Sequence, residues 1–257
     1  SKLSKRHGAA SISDYRKPGY LPEALVNFMA LFGWSPQTKR SDKKQKLTNG
    51  ITTVNKNDGI FTCTELVENF SLEAIQKGGA VFDIDKLRWV NHEHIKLLTV
   101  EEFIQKIEPF LPQEINTMNN HLRQVFLSAI KEKIDVFSDI QTMYASGEFS
   151  YFFKQPEYGK EGLLSKQETN WGAVDNYLDK SIELLSSLSK TQFTASTVKE
   201  KIWDYASEKG RGSVLWPFRY ALSGKEKSLD PFVISEILGK KETLSRLAYA
   251  RHLIKKI

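Results

Sequence analysis

The sequence predicts a mainly α-helical protein. Capping boxes, long apolar stripes at helical spacing and a scarcity of strand signals lead to that reading. Thr62 with Glu65, Thr99 with Glu102, and Thr197 with Glu200 each set a hydroxyl three residues before a carboxylate. In that arrangement the two side chains satisfy backbone N–H groups that a helix start leaves unpaired. Leu122, Val125, Phe126, Ala129 and Ile130 mark one apolar face, and Trp171, Val174, Leu178, Ile182, Leu185 and Leu188 mark another.

In chain order, the first helix is expected from Pro22 to Phe32. Proline suits the first helical position, Leu25, Phe28, Met29 and Phe32 form its stripe, and Gly33 stops it. Residues 38–58 are rich in Lys, Thr and Asn and read as a surface loop. Asn49-Gly50 there is compatible with a small hairpin, and a solvated insertion fits equally. Further on, Asp230-Pro231 pairs a cap with a first-turn proline, and a last helix is expected from about Lys240 to His252. No internal repeat supports a solenoid.

Composition narrows the class without naming a reaction. The 257 residues carry a formal net charge of +6, which permits a polyanionic partner but does not require one. The single cysteine, Cys63, excludes an internal disulfide and a cysteine-rich zinc site, and suits a reducing compartment. No apolar run approaches the roughly 20 residues that a membrane span needs. The first residues lack the apolar core of a signal peptide and an initiator Met, so a trimmed or partial chain is expected. His92 and His94 would face one way only on a strand, and no third ligand is evident, so no metal site is expected. Tyr151-Phe152-Phe153 and Tyr158 read as packing under a loop, and Trp89 as core.

The opening Lys2-Leu3-Ser4-Lys5-Arg6 places two lysines around a serine, a chemistry suited to triphosphate. The run continues through His7-Gly8-Ala9, Tyr15-Arg16, Gly19-Tyr20-Leu21-Pro22-Glu23-Ala24-Leu25 and Gly33-Trp34-Ser35. Later come Ala80-Val81-Phe82-Asp83, Asp85-Lys86-Leu87-Arg88-Trp89 with Asn91, Leu215-Trp216-Pro217-Phe218-Arg219, Ala221-Leu222-Ser223-Gly224 and Leu238-Gly239-Lys240. In this order the chain resembles the bacterial-type glutamyl-tRNA synthetases, from the ATP-binding KMSKS-type loop to the anticodon-binding end. It departs in a longer 38–57 segment, in Asn91-His92-Glu93-His94-Ile95, and in Leu229-Asp230-Pro231.

The resemblance implies a stem-contact domain followed by helical-bundle (α-cage) anticodon-binding domains. The expected divisions are 1–97, with 38–57 as an insertion loop, then 98–144 and 145–257. It also implies Lys2, Ser4 and Lys5 as ATP-loop contacts, and Arg219, Lys131, Lys133 and Ser228 as anticodon contacts. For Arg88, Lys86 and Lys96 it implies phosphate contact with the tRNA stem. Whole members of the family activate glutamate with ATP and magnesium and transfer it to tRNA(Glu). This chain has no HIGH-type tetrapeptide and no nucleotide-binding strand–loop–helix before Lys2. It is therefore expected to bind tRNA as a cytoplasmic monomer, to need an upstream catalytic domain, and to be inactive alone. A free-standing RNA-binding module, or a helical interaction protein without RNA, is the alternative. A glutaminyl enzyme would show a β-barrel in place of the helical stripes.

Overall fold

The computed structural model describes residues 11–31, 33–34, 59–75, 82–166 and 168–256. The Lys2, Ser4 and Lys5 loop and the 38–57 insertion with its hairpin reading lie outside the described residues. The fold is mainly α. Among the described residues no β-strand forms, and only the isolated bridges Trp34–Ile75 and Ser165–Glu168 occur. The described residues form no barrel, which removes the glutaminyl alternative.

Two compact units group residues 1–111 with 130–141, and residues 112–129 with 142–257. The middle segment of the three expected, 98–144, is thus shared between the units.

The first unit contains α1 (Ile12–Arg16), α2 (Pro22–Ala30), α3 (Cys63–Asn69), α4 (Ile84–Leu97) and α5 (Val100–Ile107). The boxes at Thr62 and Thr99 form as expected, each hydroxyl accepting the N–H of Glu65 or Glu102. Helix α2 packs on α4. On α4 the buried residues are Leu87, Val90, Asn91, His94 and Ile95, a helical stripe with two polar members. Asn91 is satisfied at long range: its Oδ1 accepts the Leu21 N–H at 2.8 Å, and its amide donates to the Asp135 carbonyl. His94 Nε2 donates to Asn27 Oδ1 at 2.9 Å. Burial pushes its pKa down, against the pull of Glu23. Trp89 falls off this stripe and is 39% exposed, so the expectation that it is core is corrected. Gly19 sits at φ 89°, and a Cβ there would lie 2.7 Å from Phe137 Cβ. The turn into α2 therefore requires glycine.

The second unit contains α6 (Gln113–Asn116), most of α7 (Asn120–Lys131) and α8 (Asp139–Ala145), α9 (Trp171–Ser186), α10 (Ala195–Lys209), α11 (Arg211–Ser223) and α12 (Pro231–Lys255). Each of α9 to α12 packs on the other three. The α9 stripe holds, with Val174, Leu178, Leu185 and Leu188 buried. Gly239, at φ 74°, breaks α12 into two helices. Lys240, just beyond it, donates to the carbonyls of Ser186 and Leu188 at 2.8 and 2.6 Å, capping the C-terminus of α9 from another helix.

The expected cap at Thr197 is corrected. The cap of α10 is Thr194, whose hydroxyl accepts the Thr197 N–H. Glu236 on α12 accepts the Ala195 N–H at 2.7 Å, which carries the helix back one turn.

Arg251 on α12 pairs with Asp175 at 2.7 Å and with Asp179 on α9, and Lys255 lies 3.4 Å from Asp175. The Arg251 hydrogen bond holds the Asp175 carboxyl below its ordinary 3.8, burial opposes it, and Lys255 assists. A depressed carboxylate stabilises the fold above its unfolded pKa and stops doing so as the pH falls through its folded pKa. Asp175→Asn is expected to cost about 1 kcal/mol near neutral pH, a partly exposed pair's worth. The difference from wild type should shrink as the pH falls through the lowered pKa of Asp175. Melting curves of both proteins along an acid titration check this.

Candidate nucleic-acid interface

Arg219 is placed by the residues before it. Pro217 and Phe218 are buried, and Pro217, inside α11, removes one backbone N–H from the helix ladder. Trp216 donates its indole N–H to the Gly162 carbonyl at 3.0 Å. Gly162 lies so close to Tyr220 that an added Cβ would stand 1.9 Å from the ring. These contacts pin α11 on either side of Arg219. The Arg219 side chain is half-buried. Its Nε is buried without a hydrogen-bond partner, and among the described residues no carboxylate pairs with its guanidinium. Its charge reaches the Tyr151 phenol, whose pKa is raised by burial and pulled back in part by Arg219.

Ser228 lies in the same unit, half-buried in the loop between α11 and α12, and its hydroxyl donates to the Leu229 carbonyl at 2.9 Å. Between residues 150–157 and the end of α11 a cleft of about 210 Å³ opens, lined by Lys154, Pro156, Ser223 and Lys225 among others. Ser223 donates to the Arg219 carbonyl at 2.9 Å, so this cleft adjoins the Arg219 turn. Lys154 and Lys225 were not picked out from sequence. Only their positions beside a packed aromatic run and beside Gly224 hint at it.

The other residues singled out belong to the first unit. Lys131 donates to the Leu98 carbonyl, the C-cap of α4, so it serves as a helix cap there. Lys133 is exposed. Arg88 donates to Asp135 at 3.1 Å and to Asp139 at 2.9 Å. Burial works against its charge, but the bonds and charges of Asp139 and Asp135 raise its pKa overall. Lys86 is exposed, and Lys96 lies 3.1 Å from Glu93. His92 and His94 point to different partners, the Ile134 carbonyl and Asn27, as an i,i+2 pair on a helix must.

A helical module of this kind, with an unmatched arginine beside a polar cleft, belongs to the class I aminoacyl-tRNA synthetases by two family profiles. One, tRNA synthetases class I (E and Q), catalytic domain, matches residues 1–89, and the other, the anticodon binding domain, matches residues 102–251. The glutamate–tRNA ligase of Desulforudis audaxviator is 33% identical over 96% of this chain and 46% of its own length. That of Clostridium novyi is 36% identical over 96% of this chain and 47% of its own. The solved glutamate tRNA ligase of Elizabethkingia meningosepticum, in complex with its amino acid, covers 99% of this chain with a TM-score of 0.67 and 29% identity, over 49% of its own length. The chain belongs to the glutamate–tRNA ligase family, and it spans about half the length of the curated relatives it matches.

Proposed function

We propose that this chain binds tRNA(Glu), reads its anticodon through Arg219 and Ser228, and holds the stem through cations of the first unit. The observation that carries the reading is the unmatched Arg219 guanidinium inside a segment that matches an anticodon-binding profile. Anticodon bases are unstacked in their loop and offer their edges, and a planar guanidinium donates two parallel hydrogen bonds to such an edge. Lys133, exposed, suits contact with the loop, and Lys131 would have to leave the Leu98 carbonyl to join it. In the stem set Lys86 is the strongest member, and Arg88, held by two carboxylates, the weakest.

In the whole protein this half would serve the ATP-dependent joining of glutamate to tRNA. ATP with magnesium supplies the activation there. The candidate ATP contacts Lys2, Ser4 and Lys5 lie outside the described residues. The cytoplasm and a monomeric state belong to the same proposal. Among the described residues no helix is long and apolar enough to cross a membrane.

The test is a salt titration of binding to a tRNA(Glu) transcript. Each lysine that neutralises a phosphate releases a counterion, so Lys86→Ala and Lys96→Ala should each lower the slope of log K against log salt by about 1. Unchanged slopes in both variants would remove the stem contacts. Binding with no salt dependence would favour a helical interaction protein.

A further inference from the structure

We infer that Arg246 is a positioning residue that fixes Arg219 and Ser228 relative to each other; this rests on the anticodon reading above. Arg246 lies on α12 and is only 3% exposed. Its Nη1 donates to the Tyr151 carbonyl at 2.8 Å and to the Leu222 carbonyl at 2.6 Å, and its Nε donates to Glu242 at 2.7 Å. One planar cation thus ties three segments together: the aromatic run at 151–153, the end of α11, and α12 itself.

Each tie leads to a candidate base contact. Leu222 lies three residues after Arg219 on α11, so fixing its carbonyl fixes the last turn, which Gly224 closes at φ 66°. Tyr151 extends the restraint. Its buried hydroxyl accepts the Leu229 N–H at 3.3 Å, and Leu229 directly follows Ser228. The path therefore runs from the Arg219 turn through Leu222, Arg246 and Tyr151 to the backbone beside Ser228. Lys225 and Tyr158 close the same seam by donating to the Gly147 and Ala221 carbonyls at 2.7 and 3.2 Å.

A buried charge is a poor device for stability alone, since its desolvation offsets much of what its partners return. Its use here is directional. The planar guanidinium fixes the directions of its N–H bonds, so Nη1 holds two carbonyls at a set angle, which an ammonium on a flexible stem does not reproduce. Two side chains that read adjacent bases need that fixed relation, because a small misplacement loses a bidentate contact.

The test uses the chain with Arg246→Lys, Tyr151→Phe or Arg219→Lys. Affinity is measured for a tRNA(Glu) transcript and for transcripts altered at one anticodon position at a time, beside melting curves. Arg246→Lys should lower the cognate-to-altered ratio roughly tenfold at more than one position. Tyr151→Phe removes one hydroxyl and leaves the ring in place, so it keeps the test open if the lysine variant does not fold. It should lower the ratio only at the position read through Ser228. Wild-type ratios in both variants, with only a lowered melting point or a uniform loss of affinity, overturn the positioning role. If Arg219→Lys itself leaves every ratio unchanged, the anticodon reading falls and takes this inference with it. If Arg219→Lys lowers a ratio and the other variants do not, the positioning role alone falls.

Discussion

Arg219→Lys is expected to weaken binding of the cognate tRNA by about 1–3 kcal/mol, the usual worth of a bidentate base contact. The substitution keeps the charge and removes the fork, so long-range attraction to phosphate survives while base recognition does not. The loss should therefore fall on the cognate transcript and narrow the gap to anticodon-altered ones. The melting point should move little, because no carboxylate pairs with the guanidinium among the described residues and its Nε has no hydrogen-bond partner to lose. Lys133→Ala should show a smaller loss, uniform and salt-dependent if the lysine touches phosphate alone. An equal loss for all transcripts together with a lowered melting point would take Arg219 out of the site.

The second large effect concerns stability. Gly19→Ala should destabilise the first unit by about 2–5 kcal/mol, from the strain of a left-handed alanine and from overpacking. The backbone at φ 89° disfavours any Cβ, and this Cβ would meet Phe137 Cβ at 2.7 Å and the Phe110 ring at 2.9 Å. Phe137 Cβ is fixed beside its own backbone and cannot swing aside, whereas the Phe110 contact is the tip of its ring. Gly147 is the control: its φ is 72°, but nothing lies within 4 Å of an added Cβ. Gly147→Ala should cost only the backbone strain, about 1–2 kcal/mol. Thermal melting of the two variants compares them, and equal shifts would show that Phe137 yields and that the close approach does not matter.

Local patterns carried most of the fold. The boxes at Thr62 and Thr99 need only residues three apart, and both formed. So did the α9 stripe and the Asp230-Pro231 start, where Asp230 accepts the N–H groups of Phe232 and Val233. The failures share one physical cause: the deciding contact lies far away in sequence. Thr197 with Glu200 satisfies the box pattern, yet Glu236 on another helix extends α10 back to Thr194. Trp89 is large and apolar, but the buried stripe of α4 runs through Leu87, Val90, Asn91, His94 and Ile95 instead. Its polar members are tolerated because Leu21, Asp135 and Asn27 satisfy them. The same holds for the candidate site. Arg219 was legible from the Trp216-Pro217-Phe218 run that holds it. Arg88 reads as an available cation in the sequence, but Asp135 and Asp139, 47 and 51 positions away, hold it. Arg246 gave no signal at all, since an arginine on an amphipathic helix ordinarily faces water.

The most direct test of the central claim is equilibrium binding of the unaltered chain to tRNA(Glu) and to anticodon-altered transcripts across a range of salt. Phosphate contacts weaken with salt for every transcript alike, whereas base contacts separate one transcript from another. All affinities are expected to fall together as salt rises, while the cognate transcript stays ahead by roughly tenfold or more. Equal affinities for cognate and altered transcripts at every salt concentration, or no tRNA binding at all, would contradict it.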